Sequence, residues 1–314
     1  MKKLKLNFWI FSVLLNVLFF TACDPNDKEG PVDFRITSQE FEDGIMIVRI
    51  SEDGTTSFTI ETNLPAEFSI QFPADEYEIS PSGEFSFSGS NTHINVFFVE
   101  VKREGSDIDK KILPVILTNR PQEYRKVVNS LVNFQNQNKE LALVLRHMEA
   151  DVGSDREDSG LDEWWTSCDP DVARQLSQSG KNMSLLIGNT IKKLDIPVGQ
   201  GISSQMCRAS QSLESMELGL SILRLKELNP LAEFDPENAF SRASDFLPDY
   251  MSQEEMLLVG GHFNLILGNP FYEQFAFFRM GDGFLLEKGS QGQLELVGGV
   301  PNEIWRAMLY SDFY

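Results

Sequence analysis

The chain has 314 residues, of which 41% are hydrophobic and 24% charged, and its formal net charge is −20. The length suffices for two domains that each bury a core, and the composition is that of ordinary folded protein. A surface so acidic repels nucleic acid and anionic lipid, which argues against both as partners.

At the N-terminus Lys2, Lys3 and Lys5 precede the apolar run Phe8–Phe20, which ends in Thr21, Ala22 and Cys23. A charged region, a short apolar stretch and small residues make an export signal too brief to span a bilayer comfortably. With a cysteine directly after the small residues, the stretch resembles a bacterial lipoprotein signal. That resemblance implies removal of residues 1–22, lipidation of Cys23, and a protein held on the cell envelope by acyl chains. Residues 23–31 include the polar "DPNDKEGP" and suit a flexible tether; their acids are similar to the surface-export tags of Bacteroidetes lipoproteins. Loss of three lysines and no acid makes the mature chain still more negative. Two cysteines then remain, Cys168 and Cys207, in an exported chain where a disulfide is permitted.

From residue 32 to 118 the apolar residues recur with period two: Phe34/Ile36, Ile45/Ile47, Phe58/Ile60, Phe68/Ile70/Phe72, Phe85/Phe87, Ile94/Val96/Phe98 and Val115/Leu117. Turn signals such as "EDG", "NLP" and "PSG" separate them, which predicts antiparallel strands in a small, all-β, immunoglobulin-like sandwich. His93 is read as polar filler at a strand start. Near Thr118 the period becomes helical, and Pro121–Asn138 is expected as a helix with Tyr124, Val127, Val128, Leu131 and Phe134 on one face. Beyond it come an apolar strand at 141–145, a helix over Asp171–Leu194, a strand at 198–203 and a helix from Cys207. A strand at 256–260, a hairpin and a last helix from Pro301 complete the chain. Alternation of this kind predicts an α/β domain over 119–314, a largely parallel sheet covered by helices.

Ligands of such sheets bind outside the carboxyl ends of the strands. There the sequence places Arg146-His147, Cys207-Arg208 and Gly260-Gly261-His262. Two arginines and two histidines from distant segments make a local cationic pocket in an acidic protein. The planar guanidinium fork matches the oxygens of a phosphoryl group, and a neutral, oriented imidazole is a nucleophile.

The blocks "LVLRHMEA", "ARQLSQSGKNMSLLIG", "ISSQMCRASQSLE" and "LLVGGHFNLI" resemble, in order and spacing, the histidine phosphatase superfamily over roughly 141–310. The resemblance implies a three-layer αβα, phosphoglycerate mutase-like fold and a phosphomonoester hydrolase. His147 would be the phosphorylated nucleophile, and Arg146, Arg208 and His262 would complete the phosphate pocket. It implies neither a particular substrate nor a cofactor requirement; the expected partner is a small phosphorylated substrate, with no cofactor.

Three positions depart from the pattern. Met148 stands where the family has Gly or Ala, Ser212 where it has Thr, and Phe263-Asn264 where one branch has the His-Asp pair that supplies its proton donor. Other branches take the acid from the loop before the second histidine, where Glu227 and Asp235 are the two candidates. The long segment 151–170 is expected as a solvated loop at the active edge, with Trp164 and Trp165 either walling a substrate pocket or covering core. A Cys168–Cys207 disulfide would pin that loop to the pocket. Two other classes of function compete: a non-catalytic surface lipoprotein whose pocket and sandwich serve binding, and a metal-dependent hydrolase.

Overall fold

A computed structural model describes residues 33–72, 75–89, 94–275 and 278–311. The signal segment, the tether, Cys23 and His93 lie outside the described residues. By contacts the chain divides into two units, Met1–Arg35 and Ile36–Tyr314, and the following concerns the second.

Eight strands come first: β1 (Phe41–Glu42), β2 (Ile45–Arg49), β3 (Thr55–Thr59), β4 (Ala66–Ile70), β5 (Tyr77–Ile79), β6 (Glu84–Ser88), β7 (Ile94–Arg103) and β8 (Lys110–Thr118). They form a five-stranded sheet in the order β1-β2-β8-β7-β4 and a three-stranded sheet in the order β3-β6-β5. The sheets face each other through rings: Phe97 of β7 lies 4.3 Å from Tyr77, 5.6 Å from Phe85 and 5.7 Å from Phe87, centroid to centroid. One expectation is corrected here. β2 and β8 pair in parallel, Met46 opposite Val115 and Val48 opposite Leu117. Alternation of side chains is the same whichever way a neighbouring strand runs, so period two carries no sign of strand direction. Of the expected first strand the described part is a single bridge, Ile36 to Thr62.

Helix α1 (Pro121–Val132) follows, opened by a proline that needs no N–H partner in the first turn. It ends six residues short of Asn138, and Phe134–Asn136 continues as a 3₁₀ turn. The remaining elements are β9 (Leu141–Arg146), α2 (Gln178–Lys193), β10 (Gln200–Ser204), α3 (Cys207–Glu214), β11 (Ser221–Leu225), α4 (Ala239–Phe246), β12 (Leu257–Gly261), β13 (Gly283–Lys288), β14 (Leu294–Val300) and α5 (Asn302–Tyr310).

Their six-stranded sheet has the order β11-β10-β12-β9-β13-β14; the first four strands are parallel, and the terminal hairpin joins antiparallel. Both faces are covered. Leu141, Leu143 and Leu145 pack with α1, α2, α3 and α5, whereas Ala142 and Val144 pack with α4. A strand buried on both faces has to be apolar throughout, which is why "LALVL" shows no alternation. The first of these cores also holds Ile45, Ile47 and Ile116, so the five-stranded sheet rests on the same cluster as α1.

Helix α2 starts seven residues later than its apolar pattern predicts. Ser177 caps it by accepting the Gly180 N–H at 3.0 Å, and Lys192 and Lys193 sit at the negative end of its dipole. Residues before Ser177 are committed elsewhere, Leu176 in a bridge to Ala150 and Ser177 N–H to the Glu149 carbonyl at 3.0 Å. Two glycines let α2 approach its neighbours: a Cβ on Gly180 would run into the Glu149 carbonyl, and one on Gly188 into the Met216 carbonyl.

Candidate active site

Register alone assembles the carboxyl edge of the sheet. Arg146 lies opposite Gly261 and Ser203 opposite Gly260, and the His147 N–H donates to the Gly261 carbonyl at 2.8 Å. The residues that leave these strand ends, His147 and His262, therefore meet, with ring centroids 5.1 Å apart and planes at 64°. Arg208 arrives from the first turn of α3. All three are buried: His147 is 6%, His262 3% and Arg208 4% exposed.

The protonation states follow from the partners. His147 Nδ1 lies 2.7 Å from the Met148 carbonyl. A carbonyl only accepts, so the proton is on Nδ1, and Nε2 keeps its lone pair. Burial, reinforced by the charge of Arg208, pushes the His147 pKa down to about 3, against the opposing bond to Met148. The ring is thus a neutral base at physiological pH. Burial likewise holds His262 well below its usual value, with His147 and Arg208 adding to the effect. Its Nε2 is 2.6 Å from the Ser204 hydroxyl, which already accepts the Met206 N–H at 3.3 Å. Among the described residues the hydroxyl proton has only this ring nitrogen as acceptor. With that proton given to Nε2, the imidazole carries its own on Nδ1, as a donor.

Three guanidiniums surround the rings rather than the two expected. Arg146 donates from Nη1 to the Phe278 carbonyl at 2.5 Å and lies over the Phe263 ring, 5.6 Å from its centroid. Arg208 donates from Nη1 to Asp155 at 3.1 Å. Arg174, from the segment before α2, donates from Nη2 to the same carboxylate at 3.3 Å. All three act electrostatically on both histidines. In each of the three arginines Nε is buried and has no partner among the described residues. Unmet donors of this kind are expensive unless a ligand or solvent takes them up.

Met148 is fully buried in the core cluster that contains Leu145 and Ile187 and anchors the histidine turn to that core. Ser212 accepts the Met148 N–H at 2.9 Å and donates to the Arg208 carbonyl at 2.7 Å, which ties the histidine turn to α3. Asn264 is buried and donates to the Asn229 carbonyl. Among the described residues, neither Glu227 nor Asp235 hydrogen-bonds or ion-pairs with Arg146, His147, Arg208 or His262. The Asp235 carboxylate is engaged by Arg242 at 3.5 Å and by Asn238 at 2.8 Å. Cys168 and Cys207 are joined in a disulfide, Cα to Cα 5.3 Å. Trp164 packs against Val172 and Met206, while Trp165 donates to Gln205 at 3.0 Å and meets Phe234 edge-on. The tryptophans thus cover core and join the loop to the strand end next to His262.

No family model matches this chain, and no curated protein matches it. Solved structures do. The likeness is to phosphatases. The protein histidine phosphatase SixA bound to tungstate is 19% identical, with a TM-score of 0.38 over 52% of this chain and 98% of that one. A putative phosphohistidine phosphatase SixA from Agrobacterium tumefaciens is 14% identical, with a TM-score of 0.36 over 52% and 97%. A putative α-ribazole-5′-P phosphatase from Escherichia coli is 13% identical, with a TM-score of 0.36 over 50% and 94%. At such identity and score the function has to be argued from the site itself. Among the described residues no group of three or more His, Cys, Asp or Glu side chains is arranged to hold a metal ion.

Sequence patterning located Arg146, His147, Arg208 and His262. It missed Arg174 and Asp155, which lie in polar stretches without periodicity, and Ser204, whose importance depends on the ring it faces. The one signal available for Arg174 was its place inside the second block that carries the family resemblance.

Proposed function

We propose that the chain is a histidine phosphatase, a phosphomonoester hydrolase acting through a phosphohistidine intermediate. The observation that carries this is a neutral His147 with Nδ1 committed and Nε2 free, set amid three arginines whose Nε has no partner among the described residues. The phosphoryl oxygens take those donors and the Nδ1–H of His262 while His147 Nε2 attacks phosphorus in line. The P–O bond to the leaving group breaks as the N–P bond forms; water then attacks phosphorus and returns His147 and inorganic phosphate. Donors held in place before reaction stabilise the charge that grows on the equatorial oxygens, and loss of one such donor typically lowers the rate about 10²- to 10³-fold. Among the described residues, Glu227 and Asp235 make no bond to Arg146, His147, Arg208 or His262. The reaction therefore favours leaving groups that depart readily as anions, aryl phosphates among them.

The remaining assignments belong to the same proposal. Residues 119–314 are the phosphatase domain, and 32–118 an immunoglobulin-like sandwich, supported by the two facing sheets. Residues 1–22 are a lipoprotein signal and 23–31 a tether lipidated at Cys23, which holds the protein on the bacterial envelope. The test is hydrolysis of an aryl phosphate by the purified chain and by His147→Ala. Activity abolished by the substitution and indifferent to chelator supports the reading. Equal rates, or loss of activity with chelator alone, sink it; phosphate binding without turnover favours the binding lipoprotein instead.

A further inference from the structure

The loop between β9 and α2 contributes one carboxylate to the site. Asp155 Oδ1 accepts from Arg208 Nη1 at 3.1 Å and from the Arg174 backbone N–H at 3.1 Å, and its Oδ2 accepts from Arg174 Nη2 at 3.3 Å. The side chain is 16% exposed. Two readings of such a contact differ in kind. A carboxylate on phosphate-binding arginines can be an internal plug that a substrate must displace, or a fixed counter-ion that sets the arginines in place.

The geometry separates them. A plug has to move, and this loop is fastened on every side. Arg156 N–H donates to the Val172 carbonyl at 2.8 Å, and Ala150 bridges to Leu176. Trp165 is bonded to Gln205, and the Cys168–Cys207 disulfide ties the loop to the residue before Arg208. A plug would also take up more of each guanidinium's donors. Asp155 instead takes one outer nitrogen from each guanidinium and leaves both Nε groups buried, with no partner among the described residues. Charge counting agrees. Three guanidiniums less one carboxylate, with both imidazoles neutral, leave the site at two positive charges, the opposite of a phosphomonoester dianion.

We propose that Asp155 is a positioning residue of the phosphate site: its carboxylate holds Arg174 and Arg208 side by side through one outer nitrogen each and leaves their other N–H groups for the substrate. Without it the two like charges repel, and Arg208, whose other side-chain bond among the described residues is a weak contact from Nη2 to the Met206 sulfur at 3.2 Å, turns away from the pocket. This inference rests on the phosphatase reading.

Asp155→Asn decides it, because the two readings differ in sign. The variant adds one positive charge to the site. If the carboxylate were a plug or a mere counter-charge, inorganic phosphate would bind more tightly. As a positioning residue its loss misaligns charge-assisted bonds, and phosphate binding weakens by about 10- to 100-fold. The measurement is isothermal titration of the full chain with inorganic phosphate, in which stoichiometry reports the folded fraction and Kd the site. It is paired with aryl phosphate kinetics, in which KM should rise more than kcat falls. Asp158→Asn, an exposed neighbour paired with Arg156, is the control and should leave Kd unchanged. If Asp155→Asn does not fold, Asp155→Ser, which keeps an acceptor for the Arg174 N–H, should show the same weakening. Tighter or unchanged phosphate binding, or a reduced stoichiometry with wild-type Kd, overturns the proposal. A wild-type chain that neither binds phosphate nor hydrolyses the ester overturns the phosphatase reading beneath it.

Discussion

The buried, neutral state of His147 has a consequence for stability that needs no substrate. Its pKa is held at about 3 in the folded protein, against 6.5 when exposed. A histidine depressed on folding is neutral in both states above the unfolded value, so its contribution is intact there. Stability falls as the pH drops below about 6.5, because the unfolded chain takes up a proton that the folded one refuses, and the loss levels off near the folded value. At about pH 5 the unfolded ring is almost fully protonated and the folded ring hardly at all, which works out to roughly 2 kcal/mol lost from this one residue. His147→Gln removes the group while leaving every carboxylate and His262 to titrate in both proteins. Urea unfolding followed by tryptophan fluorescence, at about pH 8 and about pH 5, gives the two stabilities. Whatever penalty the substitution carries at the higher pH, the gap between wild type and variant should shrink by roughly 2 kcal/mol at the lower. A gap that stays constant across the two pH values would show that His147 is not held neutral by burial.

Gly180→Ala should destabilise the protein by about 1–3 kcal/mol, because the new methyl meets the Glu149 carbonyl. Since Glu149 lies two residues after His147, aryl phosphate kcat should fall in the still-folded variant; unchanged kcat would mean that α2 does not hold the histidine turn. Breaking the Cys168–Cys207 bridge, which closes a sequence separation of 39 residues, should lower unfolding stability by up to about 4 kcal/mol. Denaturation with and without reductant measures this, and identical midpoints would remove the bridge from the account. Ser204→Ala removes the hydroxyl that gives its proton to His262 Nε2, at about 1–3 kcal/mol. Nitrogen NMR of the ring should then show the proton no longer confined to Nδ1; an unchanged tautomer would refute the role assigned to Ser204.

How legible all this was in the sequence depended on whether the signal was local. Strand β9 announces itself because burial on both faces demands an unbroken apolar run, and the residues that end such a run stand at the sheet's edge wherever the sheet is placed. That is why Arg146, His147 and His262 could be picked out before any coordinates. Strand β11, "SILRL", has no such mark, because it is an edge strand, partly exposed, with Arg224 as its fourth residue. The apolar pattern places the start of α2 too early, because it extends into Leu176, which bridges to Ala150 instead of joining the helix.

By itself the sequence determined the period-two strands before Thr118, the alternating strands and helices after it, and the short set of chemically able residues at the strand ends. Each of these is a matter of how neighbouring residues share a face, which covalent order settles. Only the tertiary structure decided the parallel pairing of β2 with β8, the disulfide, the third arginine and the carboxylate between two of them. Those depend on which distant segments meet, and a polar loop held in place by hydrogen bonds carries no periodicity to show where its side chains will land.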